Sequence, residues 1–301
     1  MPQRRQHREG HLARGEERTW YRVTGEAGDQ PTVVVLHGGP GATHDYLLPL
    51  EALAASGRAV VLYDQVGSGR SSHLPDAPSS SWTVTRFLDE LDQLLDELRI
   101  RENYVLFGQS WGGMLAAEHA VRRPAGLKGL IIANSPASMP LWMCAAEELR
   151  SALPADVQRV LAAHEAADTT GSPEYVEAMH VYYRRHVCRI DPWPPELEAT
   201  LAAIDADPTV YHTMNGPSEF HVTGSLRDWS VVDRLPSITV PTLVLTGRYD
   251  EATPETVRPF LERIPGARGV VLEESSHMPH LEEPARFQEI VELFLRDDVR
   301  R

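Results

Sequence analysis

The sequence predicts an α/β fold, in which helices flank a mostly parallel β-sheet and a helical cap is inserted into the core. Short runs of Val, Leu, Ile and Tyr recur along the chain, and each ends at a turn rich in glycine or polar residues. Strands that are apolar on both faces are typical of a parallel sheet. Helical patterns separate these runs, as right-handed crossovers require. The alternation stops between residues 137 and 235, where no clear buried strand occurs.

The apolar runs predict six strands and the amphipathic stretches predict three principal helices. The strands are expected at 33–36, 60–63, 104–107, 130–133, 242–246 and 269–272. The helices are expected over 83–99, where the leucines form one stripe, over 111–123, and over 284–296. Pro284 suits the first turn of the last helix.

The break in this alternation defines the predicted domains. Residues 1–136 and 236–301 are expected to form the core domain, and 137–235 a helical cap over the cleft. Residues 1–15 are basic and polar, so we expect a flexible tail there. They lack the apolar stretch of a signal peptide.

Composition narrows the class of protein. The 301 residues are 42% hydrophobic and 24% charged, which fits a globular protein with one sizeable core or with a core domain that carries an insertion. A net charge of −14 argues against nucleic-acid binding, and no apolar run is long enough to span a membrane. Cys144 and Cys188 lack metal-ligand spacing and are expected as free thiols in the cytoplasm. No metal or organic cofactor is expected, and the oligomeric state is left open.

The segment Gly108–Gly112 reads Gly-Gln-Ser-Trp-Gly, a GxSxG motif between an apolar strand and a helical pattern. In this context the motif predicts a nucleophile elbow, a tight turn that presents Ser110 above the sheet. Side chains at the flanking glycines would collide with neighbouring elements. Ser110 is therefore the predicted nucleophile.

A serine nucleophile needs a base and an acid that orients the base. His277 follows the last predicted strand, and Asp250 follows the strand before it, which is the chain order expected after such an elbow. His280 is a rival for the base. Glu251 is a rival for the acid.

The segment 37–41 reads His-Gly-Gly-Pro-Gly and follows the first predicted strand. Its glycines allow the backbone to approach a substrate oxygen closely, and Gly38 is expected to contact the substrate. The N–H groups of Gly39 and Trp111 are expected to form the oxyanion hole. His37 is expected to brace this loop.

Residues 64–72 read Asp-Gln-Val-Gly-Ser-Gly-Arg-Ser-Ser and contain a GxG. The segment lacks the third glycine and the helix-opening context of a dinucleotide site. We interpret it as a structural loop that lines the cleft.

Together these motifs resemble one family. HGGPG, DQVGSGRSS, GQSWGG, TGRYDEATP and SSHMPHLEEP are similar to the motifs of the prolyl iminopeptidase family of α/β-hydrolases, from Val33 to the C-terminus. HDYLL at 44–48 and MNGPSEF at 214–220 resemble the branch typified by the tricorn-interacting aminopeptidase and related amino acid amidases. The resemblance implies an α/β-hydrolase fold.

The resemblance also implies a site for the free α-ammonium group of the substrate. Glu219 in NGPSEF and Glu251 in YDEATP occupy the positions of the glutamates that bind this group in the family. An ammonium that leaves water needs carboxylate partners, which agrees with this role.

The function implied is hydrolysis of an amide bond, releasing an N-terminal amino acid from a small peptide or an aminoacylated small molecule. Trp111 and the pair Trp142-Met143 are local departures that leave a strict preference for proline open. One alternative is an amidase that removes an aminoacyl group from a biosynthetic intermediate such as a macrolactam. Others are an esterase or lactonase on the same triad, and a ligand-binding protein without activity.

Overall fold

A computed structural model describes residues 7–299, and its strands form one sheet in the order β1-β2-β4-β3-β5-β6-β7-β8. The strands are β1 (His7–Arg14), β2 (Glu17–Thr24), β3 (Thr32–Leu36), β4 (Val60–Tyr63), β5 (Tyr104–Gln109), β6 (Leu127–Ala133), β7 (Thr242–Gly247) and β8 (Arg268–Leu272). All six predicted strands are present. The pairs from β4 through β3 to β8 are parallel, which confirms the mostly parallel sheet.

The register of the parallel strands brings several loops to one edge of the sheet. Leu36 pairs with Gly108, and Gly247 pairs with Leu272, so β3, β5, β7 and β8 end close to one level. The loops that follow these strands contain the predicted oxyanion segment, nucleophile, acid and base. Ligands bind at this carboxyl edge in open α/β sheets.

The prediction of a flexible tail over residues 1–15 is wrong for the part that the structure describes. β1 pairs antiparallel with β2 over its whole length, from His7 opposite Thr24 to Arg14 opposite Glu17. Leu12 is the one residue of β1 that is buried. Backbone hydrogen bonds hold this edge strand in the sheet, so it needs no apolar pattern. Its polar sequence therefore did not predict a strand. Residues 1–6 lie outside the described range.

The opposite edge strand also differs from a doubly buried strand. β8 is exposed at most of its positions, and Val271 keeps 41% of its surface accessible. The apolar run over 269–272 therefore marks a strand at the sheet edge.

Helices cover both faces of the sheet. They are α1 (Val84–Glu97), α2 (Trp111–Ala120), α3 (Met139–Ser151), α4 (Ala155–Ala166), α5 (Pro173–His186), α6 (Pro195–Ala206), α7 (Thr209–Met214), α8 (Pro254–Arg263), α9 (Pro279–Glu282) and α10 (Pro284–Asp297). The helices expected over 83–99, 111–123 and 284–296 correspond to α1, α2 and α10. Within residues 7–299, no helix is long and apolar enough to cross a membrane.

The segment between β6 and β7 contains α3 to α7 and, besides these helices, only isolated β-bridges and a short 3-10 helix at Val232–Ser237. The helices expected in the cap are thus present, and their status as a separate domain stays a prediction. Leu161 and Tyr182 of this segment belong to the same apolar cluster as Phe107 of β5 and Phe287 of α10. The inserted helices therefore pack on the core that supports the site.

Candidate active site

Ser110 lies on a strained turn between β5 and α2. Its backbone has φ 55° and ψ −123°, a conformation that L-residues rarely adopt. A Cβ atom on Gly108 would lie 2.1 Å from the carbonyl oxygen of Gly112, and one on Gly112 would lie 2.0 Å from that of Leu36. Both glycines are therefore required, because strand and helix approach too closely for any side chain.

Asp250 holds His277 and is itself held by three neighbours. Nδ1 of His277 lies 2.7 Å from Oδ1 of Asp250, and the same oxygen accepts the Ala252 N–H at 2.8 Å. The other oxygen accepts the Asn134 amide at 2.5 Å and the Thr246 hydroxyl at 3.0 Å. Since Asp250 can only accept here, Nδ1 of His277 bears the proton, and Nε2 is free to act as a base.

Ser110 and His277 line one cavity of about 420 Å³. Both side chains are nearly buried. Burial lowers the pKa of His277, but the carboxylates of Asp250 and Glu219 outweigh this effect, so the pKa is raised overall. The structure thus brings the predicted nucleophile, base and acid together at the carboxyl edge of the sheet.

The loop after β3 forms another wall of the cavity, which Gly38 and Gly39 line. Gly39 has φ 104°, and a Cβ atom there would lie 2.6 Å from the nitrogen of Gly41. Trp111 is the first residue of α2, where a backbone N–H has no acceptor within the helix. This geometry fits the expected oxyanion pair.

Gly38 lines the cavity, and its predicted contact with the substrate stays a prediction. Its N–H donates to the Tyr46 hydroxyl at 2.8 Å, so this amide is already engaged. A Cβ atom on Gly38 would lie 3.1 Å from Cβ of Ser110. Gly38 therefore contributes space beside the nucleophile, and its N–H is not available as a donor to the substrate.

The rival base is placed elsewhere. Nε2 of His280 lies 3.0 Å from the carbonyl oxygen of Tyr46, and His280 is absent from the lining of the cavity. Burial lowers the pKa of His280 to about 4. The contact between His277 and Asp250 favours His277 as the base and Asp250 as the acid.

His37 braces the loop after β3, as predicted. Its Nε2 accepts the N–H of Gln65 at 2.9 Å, and its Nδ1 lies 2.9 Å from the carbonyl oxygen of Gly38. Burial lowers its pKa to about 4, which keeps the ring neutral for these two contacts.

The segment 64–72 does not line the cleft, and that prediction is wrong. None of its residues faces the 420 Å³ cavity. Asp64 accepts the His44 ring and backbone N–H groups at 2.8 Å, and Gln65 accepts the Trp111 indole N–H at 2.8 Å. This loop therefore packs against the oxyanion segment on the side away from the cavity. Its sequence alone does not distinguish this supporting role from that of a loop that lines the cleft.

Two glutamates lie beside His277. Glu219 lines the cavity, and its Oε1 accepts the Tyr211 hydroxyl at 2.7 Å. Oε1 of Glu251 lies 3.9 Å from Nε2 of His277. Glu251 is 1% exposed and sits behind the lining, and the neutral Tyr182 hydroxyl acts on its carboxylate as a hydrogen-bond donor.

This pairing of acids changes their protonation. Burial raises the pKa of Glu219. Burial, followed by the charges of Glu219 and Asp250, raises the pKa of Glu251 well above its usual value. Two carboxylates that share a dry site favour an arriving positive charge.

Much of the remaining lining is apolar, and it also includes Thr170, His180, Thr200, Asp205 and His212. Helices α5 and α6 and the turn after α5 contribute Val176, Met179, Val187, Leu197, Leu201 and Ile204. No Lys or Arg lines the cavity within the described residues. The site is therefore acidic near His277 and mostly apolar at greater distance from His277.

Comparison with known proteins assigns the family. The alpha/beta hydrolase fold family matches residues 31–284. The crystal structure of VinJ is 58% identical, with a TM-score of 0.96 and coverage of 97% of this chain and 99% of VinJ. The proline iminopeptidase of Mycobacterium smegmatis is 50% identical, with a TM-score of 0.90 and coverage of 97% and 98%. A proline iminopeptidase of Saccharolobus solfataricus is 36% identical over 276 residues, which are 92% of this chain and 88% of that protein.

The chain belongs to the prolyl iminopeptidase family of α/β-hydrolases.

Within this prolyl iminopeptidase site, sequence reasoning missed a network that joins three loops. The Tyr46 hydroxyl accepts from Gly38 and donates to Oε1 of Gln109 at 2.5 Å, and Nε2 of Gln109 donates to the carbonyl oxygen of His277 at 3.1 Å. The sequence motif that contains Tyr46 was recognised, but its pattern does not indicate which loops the Tyr46 side chain connects.

Asn134 was also missed. It directly follows β6, has φ 53°, and donates to Asp250. A polar residue placed immediately after a buried strand at the carboxyl edge is a signal that could have found it.

Proposed function

We propose that the protein is an aminopeptidase that hydrolyses the amide bond after an N-terminal residue of a small peptide or an aminoacylated small molecule. Membership of the prolyl iminopeptidase family supports an aminopeptidase-like serine hydrolase. The observation that carries the proposal is the acidic pair Glu219 and Glu251 beside His277, in a cavity whose described lining contains no Lys or Arg.

The proposed reaction proceeds through an acyl-enzyme. Ser110 attacks the amide carbonyl while Nε2 of His277 takes its proton, and Asp250 holds the imidazole at Nδ1. The N–H groups of Gly39 and Trp111 stabilise the oxyanion, and each such donor contributes roughly 10²–10³-fold in rate. His277 then protonates the leaving amine, and a water molecule attacks the acyl group with the same assistance.

The free amine of the substrate is proposed to bind at Glu219 and Glu251. The Tyr211 hydroxyl fixes Glu219 at the cavity wall, and the Trp142 indole N–H donates to the Glu219 carbonyl oxygen at 2.7 Å. An ammonium at this position would give the buried carboxylate of Glu251 a positively charged partner in addition to the neutral Tyr182 hydroxyl. Amine recognition therefore sets the acyl group next to Ser110.

The leaving group is proposed to face the apolar wall formed by α5 and α6. This wall favours, as a second candidate function, removal of an aminoacyl group from a larger apolar compound such as a macrolactam. The walls at Met179, Leu201 and Ile204 would contact such a leaving group. A small peptide would leave much of this surface uncovered.

The proposal is tested with an aminoacyl β-naphthylamide, prolyl and alanyl first, and its N-acetylated form. Acetylation removes the positive charge, and loss of a charged hydrogen-bond pair costs about 3 kcal/mol, so kcat/KM should fall roughly 10²-fold. Equal turnover of both compounds would contradict the proposed amine-binding site and favour an esterase or lactonase. A larger kcat/KM for bulky apolar leaving groups than for dipeptides would favour the second candidate function.

The proposed location is the cytoplasm. Cys144 is exposed, Cys188 is buried, and both are free thiols. Unpaired thiols are the usual state in a reducing compartment. Recovery of the protein in the cytoplasmic fraction of its source cells supports this location, and recovery outside the cytoplasmic membrane contradicts it.

A further inference from the structure

The carboxylates around His277 present a chemical problem for the free enzyme. Nε2 of His277 must be unprotonated to take the proton of Ser110. The groups that face or influence this imidazole are Asp250, Glu251, Glu219 and Glu282, together with His280 and the carbonyl oxygen of His186, which accepts the His277 backbone N–H. The neutral hydroxyls of Tyr182, Tyr183 and Tyr211 face the two glutamates. Negative charge beside an imidazole favours its protonated form.

Glu251 is the acid that faces the catalytic nitrogen most directly. Its Oε1 lies 3.9 Å from Nε2 of His277, on the side of the ring opposite the Asp250 contact. It is 1% exposed, and the neutral Tyr182 hydroxyl acts on it as a hydrogen-bond donor. A buried carboxylate in that position is stabilised by a proton on Nε2, which is the proton that blocks catalysis.

We propose that the ammonium group of the substrate switches His277 into its basic form by neutralising the Glu219–Glu251 pair. The inference rests on the proposed function, because it needs the amine to bind at these glutamates. One positive charge enters with the ammonium and one proton leaves Nε2 of His277 for solvent, so the net charge of the cluster is unchanged. Amine recognition then accelerates the chemical step in addition to raising affinity.

The surroundings of the pair support this exchange. Glu219 keeps one oxygen on the Tyr211 hydroxyl, so its carboxylate stays at the cavity wall in the empty enzyme. The raised pKa of His277 has Asp250 and then Glu219 as its charged causes, against the lowering by burial. A ligand charge placed between the glutamates and the ring opposes the Glu219 contribution and leaves the Asp250 contact intact.

The test measures the rate at which a neutral, amine-free fluorophosphonate labels Ser110 as a function of pH. Labelling needs His277 as a base but places no ammonium in the site. Glu251→Gln keeps the size of the side chain and removes its charge. We expect its acid limb to lie at lower pH than in the wild type, with labelling about tenfold faster where the two limbs separate and equal above pH 8. Glu255→Gln, an exposed acid at the start of α8, is the matched control and should follow the wild type.

Superimposable pH profiles of the wild type and Glu251→Gln would overturn the proposal. A role of Glu251 in folding or in amine affinity alone predicts that superposition. If Glu251→Gln fails to fold, a measurement on the wild type tests the proposal instead. Pyrrolidinium, at a concentration that halves hydrolysis of an aminoacyl arylamide, should accelerate labelling at pH 5, and an unchanged or slower rate would overturn the proposal.

The two proposals fail separately. If pyrrolidinium does not compete with aminoacyl substrates, or if N-acetylated substrates are hydrolysed equally well, the proposed function fails. If amine recognition holds but the acid limb does not move, only the switch fails.

Discussion

Two neighbouring residues of one loop, Asp250 and Glu251, are both buried acids and have opposite surroundings. The carboxylate of Asp250 accepts from four groups. The carboxylate of Glu251 has, among the described residues, the neutral Tyr182 hydroxyl as its donor and lies 3.9 Å from Nε2 of His277. A saturated carboxylate is fixed in place and orients its partner. A buried carboxylate with few donors can still accept hydrogen bonds from a ligand. Its burial lowers the stability of the fold while the site is empty. The difference separates the acid that orients His277 from the acid that we propose binds the substrate amine.

The largest effect is expected from changing each of these acids to its amide. Asp250→Asn should lower kcat roughly 10⁴-fold, because the amide favours the wrong tautomer of the base. Glu251→Gln should leave labelling by an amine-free reagent at least as fast as in the wild type. Steady-state kinetics with an aminoacyl arylamide and fluorophosphonate labelling measure both. Near wild-type kcat for Asp250→Asn would break the distinction between the two acids.

A smaller effect is expected from removing one donor to Asp250. Thr246→Val keeps the shape of the side chain but deletes the hydroxyl, whose proton is shared between Oδ2 of Asp250 at 3.0 Å and the carbonyl oxygen of Ala252 at 2.9 Å. Loss of one such bond costs about 1 kcal/mol, so kcat should fall several-fold. Thr246→Ser restores the hydroxyl and should restore the rate. Equal rates for the Val and Ser variants would show that this bond does not help to fix the acid.

The smallest effect is expected on stability. Burial and neighbouring charges raise the pKa of Glu251 in the folded state, so ionising it opposes folding once the pH exceeds its unfolded value near 4.3. Glu251→Gln removes this penalty. Its Tm should exceed that of the wild type by a few degrees at pH 8, since about 1 kcal/mol corresponds to roughly 2–4 °C in domains of 150–250 residues.

The same variant should show little Tm difference at pH 4, where the carboxyl is protonated in both folded and unfolded chains. A lower Tm for Glu251→Gln at pH 8 would contradict the description of this acid as destabilising in the empty site. The melting curves are recorded without ligand, since an amine would stabilise the wild type by binding.

The sequence was sufficient for features that depend on local pattern. Doubly apolar runs identified β3 to β7, and the glycines around Ser110 identified the elbow whose tight packing the structure displays. The chain order of Ser110, Asp250 and His277 followed from the positions of strand ends. These inferences need only periodicity, turn chemistry and topology.

Features that depend on partners distant in the chain were beyond sequence reasoning. β1 is a polar edge strand held by backbone bonds, so no apolar period marked it. Tyr46 and Gln109 meet only because three loops converge. Nothing in the segment 37–41 indicated that the Gly38 N–H donates to the Tyr46 hydroxyl, eight residues away. Pairing of this kind is set by tertiary packing.

The most direct test of the amine-binding site is the acetylation penalty, the ratio of kcat/KM for prolyl β-naphthylamide to that for its N-acetyl form, measured in the wild type and in Glu219→Gln. The account predicts a penalty of roughly 10²-fold in the wild type and a much smaller one in the variant, because the variant loses rate only on the charged substrate. An equal penalty in both proteins would contradict the assignment of Glu219 to the substrate amine.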